Sequence, residues 1–115
     1  MESVGRRRGS RLEDLVASRY RRAGYEVRKH VLTRLGEIDV LARRGRTRIA
    51  VEAKAGRQVI TSSIVRKFYR KARHIRARPV LGIGPRTRAT KPAKDLAKKL
   101  GVAIRVVRIR RGRRR

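Results

Sequence analysis

Apolar residues recur along this 115-residue chain with two different periods. Leu12, Leu15, Val16, Tyr20 and Ala23 return at helical spacing after Ser10, and Gly24 is a natural stop, so a helix is expected from Ser10 to about Ala23. Tyr25 to Leu32, Glu37 to Arg43 and Thr47 to Lys54 read as three successive strands. A second helix follows. Thr61 or Ser62 caps it, Ile64, Val65, Phe68, Ala72 and Ile75 line one face, and Pro79 lies just beyond. Pro79 to Ile83 is a short apolar strand and Gly84 to Arg88 a loop. Thr90 to Leu100 is a helix with Pro92 in its first turn and Gly101 after its end, and Val102 to Ile109 makes a last strand. The order αβββαβαβ, with no internal repeat, describes an α/β domain with a mixed sheet. Tyr20, Tyr25 and Phe68 are expected in the core; Tyr69, off the apolar face of its helix, is placed to touch a substrate.

The turn between the second and third strands fixes their register. With Gly45 and Arg46 as the central pair of a type II′ turn, Arg44 faces Thr47, Asp39 faces Glu52 and Glu37 faces Lys54. Directly opposed residues on one face have Cβ atoms roughly 4.5–5.5 Å apart, and like charges there repel. Such a pair makes sense chiefly as ligands of a cation, and oxygen ligation of this kind suits Mg²⁺ or Mn²⁺. Glu52 and Lys54, two apart, share a face, so the ammonium sits where it can orient or deprotonate a water beside the metal. The plainer alternatives are that Asp39 and Glu52 each lean on one of many arginines, and that Glu37 and Lys54 are a solvated cross-strand ion pair. Ser10 to Glu13 reads as a capping box. His30 and His74 read as surface residues.

Charge decides which partners are reasonable. The chain has 36 basic and 8 acidic residues, a net charge of +28, and such a chain repels itself unless a polyanion or counterions neutralise it. Nucleic acid is the expected partner, since phosphate contacts release counterions and supply most non-specific affinity. Aromatic residues make up only 3% of the chain, which argues against single-strand binding by base stacking and for tracking the backbone of a duplex or a branched junction. No cysteine is present, so disulfides, zinc thiolates and thiol catalysis are excluded and a reducing cytoplasm is expected. No apolar run approaches a membrane span, and no basic amphipathic helix with a bulky apolar face suggests a membrane surface. Asn is absent, and Gln58 and Met1 are single, a depletion of thermolabile residues expected of a thermophile. Phosphate-cradling, deaminase and serine-hydrolase motifs are absent too.

The run from Leu12 to about Lys71, with Gly24-Tyr25 closing a helix, then Gly36 to Gly45 and Ile49 to Lys54, resembles the YraN-like family of endonucleases within the PD-(D/E)XK superfamily. It is more distantly similar to archaeal Holliday junction resolvases and Mrr-type restriction enzymes, and the likeness fades from Gly84 onward. The resemblance implies a restriction-endonuclease-like core whose mixed central sheet is flanked by helices. It also implies a metal-dependent site of Asp39, Glu52 and Lys54, with the backbone carbonyl of Ala53 as a further ligand and Glu13 of the first helix completing the set.

These readings define a basic arm over residues 1–9, a nuclease-like domain over 10–109 and an arginine-rich tail over 110–115. The expected function is a metal-dependent endonuclease acting on DNA, with branched or junction DNA as a natural substrate and a homodimer suited to two-fold junctions. Its competitor is a non-catalytic nucleic-acid binder of the chromatin or ribosome-associated kind. Carboxylates aimed at phosphates separate the two, because a pure binder gains nothing from them. Arg6, Arg7, Arg8, Arg34, Arg57, Lys67 and Arg70 are the expected contacts to nucleic acid.

Overall fold

In a computed structural model, which describes residues 4–108, the apolar periods resolve into a five-stranded sheet with helices on both faces. Its elements are α1 (Val4–Arg22), β1 (Glu26–Thr33), β2 (Gly36–Arg44), β3 (Thr47–Lys54), β4 (Val59–Ile60), α2 (Ser62–His74), β5 (Arg78–Ile83), β6 (Arg88–Ala89), α3 (Lys91–Leu100) and β7 (Ala103–Val106). The sheet order is β1-β2-β3-β5-β7; the first three strands are antiparallel, and β3, β5 and β7 are parallel. That is the expected mixed sheet. Two short strands, β4 and β6, fall outside the expected elements; they pair with each other as a separate parallel ribbon. No helix among the described residues is long and apolar enough to cross a membrane.

The local signals act where the sequence puts them. Thr61 and Thr90 cap α2 and α3, each accepting a hydrogen bond from the amide three residues on, and Gly101 ends α3 in the left-handed conformation at φ 78°. Arg44 pairs with Thr47, and Gly45 takes φ 61° while Arg46 keeps a negative φ, as a type II′ turn requires. One boundary moves. Helix α1 begins at Val4 rather than Ser10, because arginine is a good helix former and neither Gly5 nor Gly9 interrupts the run. Ser10 is therefore inside a helix and cannot be its N-cap, which removes the capping box from Glu13. The tail 110–115 and residues 1–3 of the arm lie outside the described residues.

Two apolar layers hold the sheet. On one face Leu12 and Val16 of α1 pack on Val40, Val51, Ala53 and Val107; on the other Val65, Phe68 and Ala72 of α2 and Ala93 and Ala97 of α3 pack on Ile38, Ala50, Leu81 and Ile83. Phe68 is fully buried, and Tyr69, expected off the apolar face, is partly buried and packs against that same layer. Along a regular strand, residues two or four apart share a face. Here Val40 and Ile38 lie in opposite layers, and so do Val27 and Val31 of the neighbouring strand. The residues between, Asp39 and His30, are the ones missing from an otherwise continuous β1–β2 register, and His30 sits at φ 53°. Both strands turn over together at this point.

Candidate active site

The paired irregularity opens the β2–β3 seam. Those strands stay in register to Val40↔Val51, the alignment that would next bring Asp39 opposite Glu52. At Asp39 the ladder stops. Its carboxylate Oδ2 instead accepts a hydrogen bond from the Ala53 amide at 2.9 Å. Amide and carbonyl of one strand residue point to the same neighbour, so the Ala53 carbonyl faces this opening too. The Glu37–Lys54 pairing does not form, because β2 has left the ladder before reaching it; Glu37 meets His30 instead, with Oε2 2.5 Å from Nδ1.

Glu52 and Lys54 share a face as expected, with Lys54 Nζ 3.7 Å from Glu52 Oε2. A second ammonium arrives from α2. Lys71 Nζ donates to Glu52 Oε1 at 3.1 Å and to the Glu37 carbonyl at 2.8 Å, so one side chain ties α2 to both edges of the opening. It passes over Gly36, where a Cβ would stand 3.1 Å from Lys71 Cδ. Sequence reasoning missed Lys71. The available signal was its place between Phe68 and Ala72, both buried, which puts it at the margin of the apolar face of α2.

From α1 comes Glu13, 7% exposed, one turn of helix before Ala17 and beside Leu12, which are both buried. One oxygen each of Glu13 and Asp39 and one ring nitrogen of His30 lie within 4.8 Å of one another. His30 was read as a surface residue. Its ring is half exposed, yet Glu13 and Glu37 both face it, because the turned-over backbone aims it at α1. Glu52 stands outside this trio, on the Lys71 side of Asp39.

The electrostatics follow from burial. Asp39 is held above the usual carboxylate range chiefly by desolvation, with Glu52 adding to the rise while the Ala53 amide, Lys71 and Lys54 oppose it. Glu13 is raised by the same cause, then by Asp39, with His30 and Lys29 pulling it down. Lys29 is itself paired with Asp14. Glu13 Oε1 lies 3.0 Å from His30 Nε2 but outside hydrogen-bonding geometry, which leaves a buried oxygen without a donor among the described residues. A donor set of buried, partly uncompensated carboxylates fits a divalent cation.

The expected nucleic-acid contacts lie on several elements. Arg6, Arg7 and Arg8 fall in the first turns of α1; Arg57 is exposed after β3, and Lys67 and Arg70 are exposed on α2. Arg34 lines a groove of about 350 Å³ together with Arg28, Arg43 and Arg48.

Comparison with known proteins bears on the whole arrangement. The Mrr_cat family profile, described as restriction endonuclease, matches residues 6–111, reaching well past Gly84, where the likeness had been expected to fade. Among solved structures, the EndoMS–dsDNA complex superposes with a TM-score of 0.71 at 18% identity, over 97% of this chain and 48% of that one. A repair endonuclease from Pyrococcus abyssi gives 0.68 at 18% identity, over 94% and 49%, and Pyrococcus furiosus SfsA in complex with Ca²⁺ gives 0.59 at 16%, over 86% and 57%. At these identities the superpositions establish the fold. The chain spans about half the length of the structures it matches. No curated protein matches it significantly. With nearly its full length matched by one profile, and with the mixed sheet and helices of its structural neighbours, this chain belongs to the Mrr catalytic-domain family of restriction endonucleases.

Proposed function

We propose that this domain is a metal-dependent DNA endonuclease whose site is the opening between β2 and β3. One observation carries the reading. Of 8 acidic residues in a chain with 36 basic ones, four (Glu13, Glu37, Asp39 and Glu52) converge on a single break in the sheet. Scattered surface acids would be expected to pair separately with the abundant arginines; a cluster that repels itself is sustained by a cation.

Asp39, Glu13 and the Ala53 carbonyl are the groups proposed to hold the metal, with Glu52 joining them as Lys71 shares its charge. Mg²⁺ or Mn²⁺, when bound, supplies the positive charge that neutralises a phosphate oxygen and acidifies water. The chain's own residues do the rest. Lys54 Nζ, beside Glu52, donates to the attacking water and steadies the charge that develops on the phosphate. Lys71 ties Glu52 of β3 to the Glu37 carbonyl of β2 across the opening. Arg34, Arg57, Lys67 and Arg70, with the arginines of residues 6–8, track the DNA backbone. The DNA-bound neighbour and the repair endonuclease favour duplex DNA as the substrate, and branched DNA with a dimeric enzyme is the form proposed for testing. SfsA, whose structure holds Ca²⁺, supports a cation on this fold.

The test is cleavage of a panel of labelled linear, mismatched, flapped and four-way DNAs and matched RNAs, with Mg²⁺, Mn²⁺ or EDTA. Cutting of at least one DNA, dependent on metal, is expected. Binding to DNA with no cutting of any member under any metal would favour a non-catalytic binder and overturn the proposal.

A further inference from the structure

His30 is the residue that least resembles its surroundings. It stands in the middle of β1 at φ 53°, in the left-handed region that histidine tolerates better than most side chains, and it lies where the chain would otherwise have continued the β1–β2 ladder. Strained backbone of this kind persists where the surroundings fix it. What it achieves here is aim. The ring nitrogen Nδ1 is 2.5 Å from Glu37 Oε2, and Nε2 lies 3.0 Å from Glu13 Oε1 without hydrogen-bonding alignment, within the trio that includes Asp39.

The ring is therefore held by one carboxylate and presented to two others. With Nδ1–H donated to Glu37, Nε2 offers its lone pair to the space between Glu13 and Asp39. A carboxylate that accepts from the far nitrogen of a histidine is the usual outer partner of a metal-bound imidazole. Glu13 supplies an independent sign. It is 7% exposed, and its Oε1 has no hydrogen-bond donor among the described residues, which leaves a buried oxygen for a bound group to complete. Of the nearby ammonium groups, Lys71 and Lys54 are engaged with Glu52 on the other side and Lys29 with Asp14.

We infer that His30 Nε2 is a metal ligand, acting with Glu13 and Asp39 and held by Glu37, and that the site consequently prefers a first-row transition ion such as Co²⁺ to Mg²⁺. The inference rests on the metal-dependent reading above and adds a nitrogen ligand to it. Mg²⁺ takes oxygen donors in strict octahedral geometry, whereas imidazole favours transition ions.

Calorimetric titration of the full chain with Co²⁺ and with Mg²⁺ is paired with proton NMR of the Co²⁺-loaded protein. Wild type should bind Co²⁺ more tightly than Mg²⁺ and show one hyperfine-shifted, exchangeable imidazole N–H, unchanged in His74→Ala, the only other histidine. His30→Ala should remove that resonance and weaken Co²⁺ binding by roughly tenfold or more while leaving Mg²⁺ binding nearly unchanged, and Glu37→Gln should weaken Co²⁺ binding by about tenfold. A wild-type Co²⁺ complex without a shifted imidazole proton overturns the inference, whatever the stability of the variants. If Asp39→Asn abolishes Co²⁺ binding while His30→Ala does not alter it, the metal site stands and the histidine ligand falls. If Asp39→Asn leaves both ions bound as in wild type, the metal reading falls with it.

Discussion

Among the described residues Asp39 has one hydrogen-bond donor, the Ala53 amide, and lies among acids, whereas Glu52 has two ammonium groups. Their neutralised forms should therefore behave differently. Asn at position 39 can still accept from Ala53, so Asp39→Asn should raise the melting temperature of the metal-free protein at neutral pH and abolish stabilisation by added divalent ions, measured by calorimetric scans with and without metal. Glu52→Gln leaves Lys71 and Lys54 short of a partner and should lower metal-free stability by roughly 1–3 kcal/mol in denaturant titration. The pH dependence has a definite sign. Asp39 and Glu13 bind protons more tightly folded than unfolded, so their stabilising contribution is full at acid pH and is lost as pH rises from the ordinary carboxylate range through their raised values. Asp39→Asn should flatten that decline. Of the candidate site, Asp39, Glu52 and Lys54 were legible in the sequence because acids within apolar strands stand out and a two-residue spacing fixes their face. His30 and Lys71 were not, since one depends on a single backbone reversal and the other on which margin of α2 meets the sheet.

At the scale of elements, the site is made by two strands that turn over at the same level. The β1–β2 register counts evenly on either side of His30 and Asp39, so no residue is gained or lost and periodicity in the sequence carries no trace of the event. The core strands and capped helices were legible for the opposite reason: Thr61, Thr90, Gly45 and Gly101 each mark a boundary by local chemistry that tertiary contacts leave intact. The ribbon β4–β6 was not, because two-residue strands show no alternation. Gly36 ties this level to the site. It holds φ 128° directly beneath the Lys71 side chain, so Gly36→Ala combines backbone strain with a displaced lysine. A loss of roughly 1–3 kcal/mol in denaturant titration is expected, with slower cleavage; full stability and full activity would mean that Lys71 does not depend on this passage.

Across the whole molecule, positive charge surrounds an acidic centre. A net charge of +28 favours a polyanionic partner, and the proposed contacts Arg34, Arg57, Lys67 and Arg70 are all exposed. DNA affinity should fall steeply with salt, each phosphate contact contributing a log–log slope of about −0.9 on duplex DNA. Removing residues 110–115 should reduce that slope in fluorescence anisotropy titrations while the melting temperature stays near wild type. An unchanged slope would place the tail away from the DNA. The acids and Lys54 at the β2–β3 opening are proposed to cut DNA rather than merely accompany its binding. The most direct test is single-turnover cleavage of the best-cut DNA by wild type and Lys54→Ala, with affinity measured on the same substrate. The expected result is metal-dependent cutting by wild type, and a loss of at least about a hundredfold in rate for Lys54→Ala with little change in affinity. Cleavage that persists in EDTA and at wild-type rate in Lys54→Ala would contradict the account.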